Sequence, residues 1–340
     1  MAELGIGIVG AGAIVRSAHL PAYTNAKFRV VAICDREPDR AEAAAREFGV
    51  PHWCGSHQEL LVRPGVDIVD IAVPPAFQPE IARAAMSARK HLLCQKPLAE
   101  SLEQARRLVE EAERAGVKLA VNQQMRWDPL IRNTHELLRA GKLGQPVNVA
   151  LEVSVTTDWA QWPWIPGGPR LDLLLHSIHY FDSLRFLFGE PEWIFSALGK
   201  YPGQEEAAET RSVSTLSFPG GVLAHVAVHH NNWAGDWFAT FRVEGTEGVV
   251  RGTFGHLYDY PAGRPDTMEY RLRSDDRWRS LEFREKWFPD AFVGPMTSLM
   301  KAVASGGEPE TSGRDNLRTL ALVFAGYRSA AEKRAVTPEV

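Results

Sequence analysis

The chain has 340 residues, 45% of them apolar and 24% charged, with a net charge of -4. That length exceeds what one small core needs and suits two domains, while the mild acidity, without a sustained basic stripe, gives no electrostatic draw to nucleic acid or anionic lipid. No basic segment followed by an apolar stretch opens the chain, and no apolar run reaches membrane-spanning length.

From the N-terminus, an apolar run over Leu4–Gly10 leads into a glycine turn. Ile6, Ile8 and Val9 suit a buried parallel strand. Gly10 and Gly12 let the backbone turn tightly and approach a pyrophosphate, and a helix from about Ala13 and Ile14 offers its unpaired N–H groups to that anion. The third glycine of such a fingerprint is Val15 here. The next run, Phe28–Cys34, ends on Asp35, whose carboxylate can accept both ribose hydroxyls, with Arg36 beside it. Further strand-like runs at Val66–Val73, His91–Cys94 and Val117–Val121 alternate with helical stretches at Pro38–Phe48, Gln78–Arg89 and Leu102–Ala115. This alternation predicts an α/β, Rossmann-type doubly wound parallel sheet over residues 1–122. Ligands bind at the carboxyl edge of such a sheet, so the loops after Val9, Cys34, Val73, Cys94 and Val121 are the ones to watch. They add Pro74, Lys96 and Gln123 to Gly10, Gly12, Ala13, Ile14, Asp35 and Arg36 as candidate dinucleotide contacts. The three cysteines, Cys34, Cys54 and Cys94, lack metal spacing and read as reduced packing residues of a cytoplasmic protein.

Residues 123–340 change character and predict an α+β domain for substrate binding and oligomerisation. A helix at Pro129–Arg139 precedes a long alternating strand, Gln145–Thr157, and an apolar helix over about Leu171–Phe188. Strand-like runs follow at Trp193–Gly199, Ser212–Phe218, Val222–His230, Phe238–Val243 and Gly248–Thr253. They suggest a mostly antiparallel, open sheet covered on one face. Two terminal helices, about Ala291–Ser305 and Arg314–Arg334, complete the fold, the last able to pack back on the first domain. The exposed sheet face is a candidate surface for a homodimer or homotetramer.

Lys96 follows the fourth predicted strand. Its ammonium can hydrogen-bond a substrate hydroxyl or polarise a carbonyl, and the following Pro97 restricts it to an extended or turn conformation, with a cis bond allowed. The other reading is a solvated loop lysine. On an ideal helix Asp172, His176 and His179 fall within roughly 60° of one another. A polar stripe on so apolar a helix is open to three readings: a hydrogen-bonded structural histidine, a metal site of two His and one Asp, or proton transfer. The helix supplies no fourth ligand, and no metal is expected. His225 and His229, on one face of an alternating strand with His230 beside them, read as surface or pocket wall. Trp159, Trp162 and Trp164, interleaved with proline and glycine, make a stiff amphipathic wall suited to a sugar or cyclitol, or else to packing. Arg126, with Asn122 and Gln123, is a candidate polar contact.

In these residues the chain resembles the glucose-fructose oxidoreductase / inositol dehydrogenase / rhizopine catabolism family (Gfo/Idh/MocA). The likeness rests on the glycine turn running into Ala18-His19-Leu20-Pro21-Ala22-Tyr23, on Lys96-Pro97, and on His179-Tyr180-Phe181-Asp182 with Leu184-Arg185. The terminal helix, with Thr319-Leu320-Ala321-Leu322 and Tyr327-Arg328-Ser329-Ala330, extends it over nearly the whole chain. The resemblance implies hydride transfer at a sugar or polyol carbon, with Lys96 matching the lysine of the Glu-Lys-Pro motif and His179 the active-site histidine. Gln95 replaces that motif's glutamate, Leu175 stands where many members carry an acid, and Gln78 where members often place a histidine. Asp172 or His176 can compensate for the missing acid.

The sequence thus predicts an NAD-dependent dehydrogenase, NADP being the lesser possibility, acting on CH–OH groups of a polyhydroxylated small molecule. The alternatives are a non-catalytic cofactor-binding sensor and a dehydrogenase of a non-carbohydrate ring diol.

Overall fold

The computed structural model describes residues 4–258, 260 and 263–340. Two compact units emerge: residues 1–124 with 289–317, and residues 125–288 with 318–340. The segment 289–317 thus belongs with the first unit, although it lies far along the chain.

In the first unit, β1 (Ile6–Val9), β2 (Val30–Cys34), β3 (His52–Cys54), β4 (Ile68–Ile71), β5 (His91–Cys94) and β6 (Leu119–Val121) form one parallel sheet in the order β3-β2-β1-β4-β5-β6. The order reverses direction between β1 and β4, which puts the crevice for a ligand at their carboxyl ends. Ile6, Ile8, Ile33, Ile68 and Leu92 are fully buried, as a sheet covered on both faces requires. Among its helices α2 (Pro38–Phe48) and α5 (Leu102–Ala115) have local starts and stops. Proline opens α2, the Ser101 hydroxyl caps α5, and Gly49 and Gly116 end them in the left-handed conformation. The short strand β3 shifts the sequence count by one, so Lys96 follows the fifth strand of the sheet.

The second unit carries an eight-stranded sheet, in which β7 (Pro146–Ser154) and β10 (Val222–His229) run parallel and the other pairs run antiparallel. Along β10, Val222, Ala224, Val226 and Val228 are buried while Leu223, His225, Ala227 and His229 lie on the more open face. The covered face receives α7 (Ile178–Phe188), with Tyr180 stacked on Phe254 and Phe188 against Phe218. Two further strands, Thr267–Leu272 and Arg279–Leu281, extend the edge beyond what periodicity predicted. No helix among the described residues is long and apolar enough to cross a membrane.

The continuous α-helix expected over Leu171–Phe188 is corrected. Residues Asp172–His176 form a π-helical turn, closed by the Ser177 N–H donating to the Asp172 carbonyl at 2.7 Å, and regular α-helix begins only at Ile178. The ideal helical angles that grouped Asp172, His176 and His179 therefore do not apply across this turn.

Candidate active site

In the first unit the glycine turn is built for close approach. Gly10 has φ 108°, and a Cβ there would lie 2.4 Å from the Ala72 carbonyl oxygen. A Cβ on Gly12, by contrast, would meet no protein atom within 4 Å, so that side is open for a ligand. The Ala11 N–H donates to Asp35 Oδ2 at 2.8 Å and the Glu37 N–H to Oδ1 at 2.9 Å. These bonds hold the carboxylate against the turn and leave acceptor capacity for ribose hydroxyls. Ala13 is exposed and Ile14 and Pro74 half-buried, while Arg36 lies at the surface. Val15, in place of the third glycine, is fully buried in a π-helical turn, Val15–His19. Gln123, also buried, has no described partner for either side-chain amide atom, as expected of a group that waits for a polar ligand. These residues fit a dinucleotide.

The Lys96–Pro97 bond is cis. Lys96 keeps part of its surface open, yet its ammonium is enclosed by protein, and that burial draws its pKa down to about 8. Gln95 shapes this position in a way the sequence did not reveal. Its Oε1 accepts from the Lys96 N–H at 2.9 Å, which leaves Nε2 to donate to His19 Nε2 at 3.2 Å. His19 Nδ1–H then donates to Asp70 Oδ2 at 2.7 Å, where the Tyr23 hydroxyl also donates. A neutral amide at Gln95 thus completes a buried chain without placing a carboxylate beside Lys96. Gln78 donates to the Pro97 carbonyl at 2.9 Å, steadying the same loop.

In the second unit His179 sits in the first turn of α7, 6% exposed, with its ring edge-on to Trp287 at 5.7 Å. Asp172 turns to other partners. Its Oδ1 accepts from Ser177 Oγ and faces His230 Nε2, both at 2.9 Å, and its Oδ2 accepts from Ser212 Oγ. Burial by itself raises the Asp172 pKa, but hydrogen bonds from His176 and His230 outweigh it and hold the carboxyl below its usual range. His230, read from sequence as surface or pocket wall, is fully buried here.

Trp159 is buried against Leu171, Ile165 and Ala208 and packs edge-to-face with His230. Trp162 is half-buried against Tyr260, and Trp164 is 42% exposed. Trp159 and Trp162 meet ring to ring, with 6.2 Å between centroids. Arg126 forms a two-pronged ion pair with Asp182, both bonds at 2.7 Å, so its fork serves the fold.

Known proteins show the same division. The family model described as the oxidoreductase family with an NAD-binding Rossmann fold matches residues 4–123, and the GFO/IDH/MocA C-terminal domain model matches residues 131–251. The chain belongs to the GFO/IDH/MocA oxidoreductase family. It is similar to D-apiose dehydrogenase from Paraburkholderia graminis, 30% identical over 97% of this chain and 88% of that protein. Myo-inositol 2-dehydrogenase from Thermotoga maritima is 28% identical over 98% of each chain. Among solved structures, an oxidoreductase from Agrobacterium radiobacter in complex with NAD+, L-tartaric acid and magnesium matches with a TM-score of 0.86. It covers 99% of this chain and 98% of its own at 24% identity, a likeness of fold. This GFO/IDH/MocA member is thus a nicotinamide-dependent oxidoreductase with a Rossmann sheet and a second, mostly antiparallel sheet.

Proposed function

We propose that this GFO/IDH/MocA member transfers hydride between NAD and a hydroxyl-bearing carbon of a sugar, sugar acid or cyclitol. The observation that carries the reading is Lys96, a buried ammonium with a lowered pKa at the carboxyl edge of the Rossmann sheet. The relatives acting on D-apiose and myo-inositol support the substrate class. Held at the Gly10–Gly12 turn and Asp35, the nicotinamide dinucleotide would supply the hydride acceptor or donor. His179 takes the proton of the substrate hydroxyl, and Lys96 stabilises charge on that oxygen. Asp172 and His176 support the proton-transfer helix from its π turn, while Trp162 and Trp164 offer apolar surface to the C–H faces of the substrate.

The test is the appearance of reduced nicotinamide when the protein meets a panel of aldoses, sugar acids and inositols with NAD, and with NADP in parallel. Silence across the panel with cofactor binding intact would overturn the reading and favour the sensor or ring-diol alternatives. Asp35 sets the cofactor preference. A carboxylate ~4 Å from a 2′-phosphate opposes it by about 4 kcal/mol at an intermediate dielectric, before screening and pairing by Arg36. NADH is therefore expected to bind at least about tenfold tighter than NADPH, the equivalent of ~1.4 kcal/mol. Titration of both reduced cofactors by fluorescence checks this, and tighter NADPH binding refutes it.

Lys96 also sets a pH dependence. It stabilises a developing alkoxide only as the ammonium, so kcat/KM for carbonyl reduction is expected to fall as pH rises through about 8. Gln95→Glu places a negative charge nearby, favours the ammonium and moves that inflection upward. An unmoved profile would remove Lys96 from the titration. Oligomerisation is assigned to the open sheet face, where Phe195, Val213 and Leu223 are exposed on neighbouring strands.

A further inference from the structure

The buried cluster of Asp172, His176 and His230 brings one carboxylate and two imidazoles together. One ligand atom from each residue lies within 4.8 Å of the other two. Asp172 Oδ1 is 2.9 Å from His230 Nε2 and 3.6 Å from His176 Nδ1. A metal ion with bonds of about 2.0–2.2 Å spaces its ligands roughly 3–3.5 Å apart, close to these separations. We propose that Asp172, His176 and His230 bind a divalent transition-metal ion of the zinc class, with an open coordination position on the His176 side.

The donor set is two imidazoles and one carboxylate, a combination that suits zinc and leaves room for a water or substrate oxygen. Asp172 and His230 are fully buried, whereas the His176 side chain keeps 18% of its surface. With neutral imidazoles the pocket holds a buried negative charge, which a divalent cation balances. The surrounding groups are those that orient metal ligands. Thr157 Oγ1 is 2.8 Å from His230 Nδ1, and Ser177 and Ser212 donate to the two carboxylate oxygens. Metal binding would replace the proton that His230 Nε2 presents to Asp172, and the Thr157 hydroxyl, 2.8 Å from Nδ1, would then accept the Nδ1 proton. Trp159 and Tyr180 pack edge-to-face with His230 and His176, which limits water around the ligands. The π turn carries Asp172 and His176, and the end of the β10 segment brings His230 from a distant part of the chain.

The experiment is metal titration of the full chain after chelator treatment and dialysis, with Co2+ as the visible-absorption probe and Zn2+ as competitor. The expected result is a saturable, zinc-competed absorption band. His176→Ala and His230→Gln should each abolish it, Thr157→Val should weaken affinity by about 10–100-fold, and His225→Ala should leave it unchanged. His176 is partly exposed and its loss preserves the Asp172–His230 bond, so unchanged thermal unfolding of His176→Ala separates ligand loss from misfolding. No saturable binding by the wild type, or binding by the His176 and His230 variants equal to the wild type's, overturns the proposal and leaves a hydrogen-bonded relay. The readout is independent of turnover, so an inactive protein that binds Co2+ would reject the hydride-transfer reading alone.

Discussion

His179→Ala is expected to lower kcat by about 10²–10⁴-fold while leaving NADH affinity unchanged. The expectation follows from chemistry and from place. An imidazole titrates near neutrality and can take a proton from a hydroxyl and return it. His179 sits at the start of α7, on a rigid and almost fully buried helix rather than on a loop. Such a position limits reorganisation when proton transfer begins. Loss of ring packing against Trp287 is the structural effect to separate, and it acts on stability rather than on rate. Stopped-flow or steady-state kinetics in both directions, with thermal unfolding alongside, distinguish the two. Near-normal turnover in a folded variant would remove His179 from acid-base catalysis. A lower Tm with an unchanged kcat would make it a packing residue.

The parts of this molecule that were legible in its sequence are those specified by neighbouring residues. Helix α2 starts at Pro38 because proline suits a first turn, and it stops before Gly49 because glycine accepts the left-handed conformation. The turn at Gly10 and its acidic partner Asp35 were also readable, since a strand, a glycine and a carboxylate each leave a local mark. Strand β3 was not: its three residues give no usable period, and two of them, His52 and Trp53, are exposed. The π turn at Asp172–His176 escaped because hydrophobic periodicity assumes 3.6 residues per turn, whereas one inserted residue rotates everything upstream relative to α7. The meeting of His230 with Asp172 spans 58 positions and depends on tertiary packing, to which local patterns are blind. The Gln95–His19–Asp70 chain is of the same kind. Its members lie on three separate segments, and the substitution at Gln95 is intelligible only with His19 beside it.

Arg126→Met is expected to destabilise the second unit by about 3 kcal/mol, near the lower end for breaking one side of a buried ion pair. The guanidinium and the Asp182 carboxylate are 5% and 1% exposed and meet through two parallel hydrogen bonds. Removing the arginine leaves a carboxylate that has already lost its hydration. The lower end applies because Asp182 keeps two supports. Thr319 Oγ1 donates to it at 2.6 Å, and Arg185 Nη1 remains 3.6 Å away. Denaturant unfolding measures the loss, with probes in both units because two-state behaviour is not assured for a two-unit chain. Adding Asp182→Leu to Arg126→Met should recover most of the stability, since the cost lies in the orphaned charge rather than in a missing attraction. The same variants decide between structural and substrate roles. A structural Arg126 changes unfolding and leaves KM near wild type in the folded fraction, whereas a substrate-binding Arg126 raises KM even in the charge-free double variant. A stability change below about 1 kcal/mol would mean that the Arg126–Asp182 pair contributes no more than an exposed salt bridge, contrary to its burial.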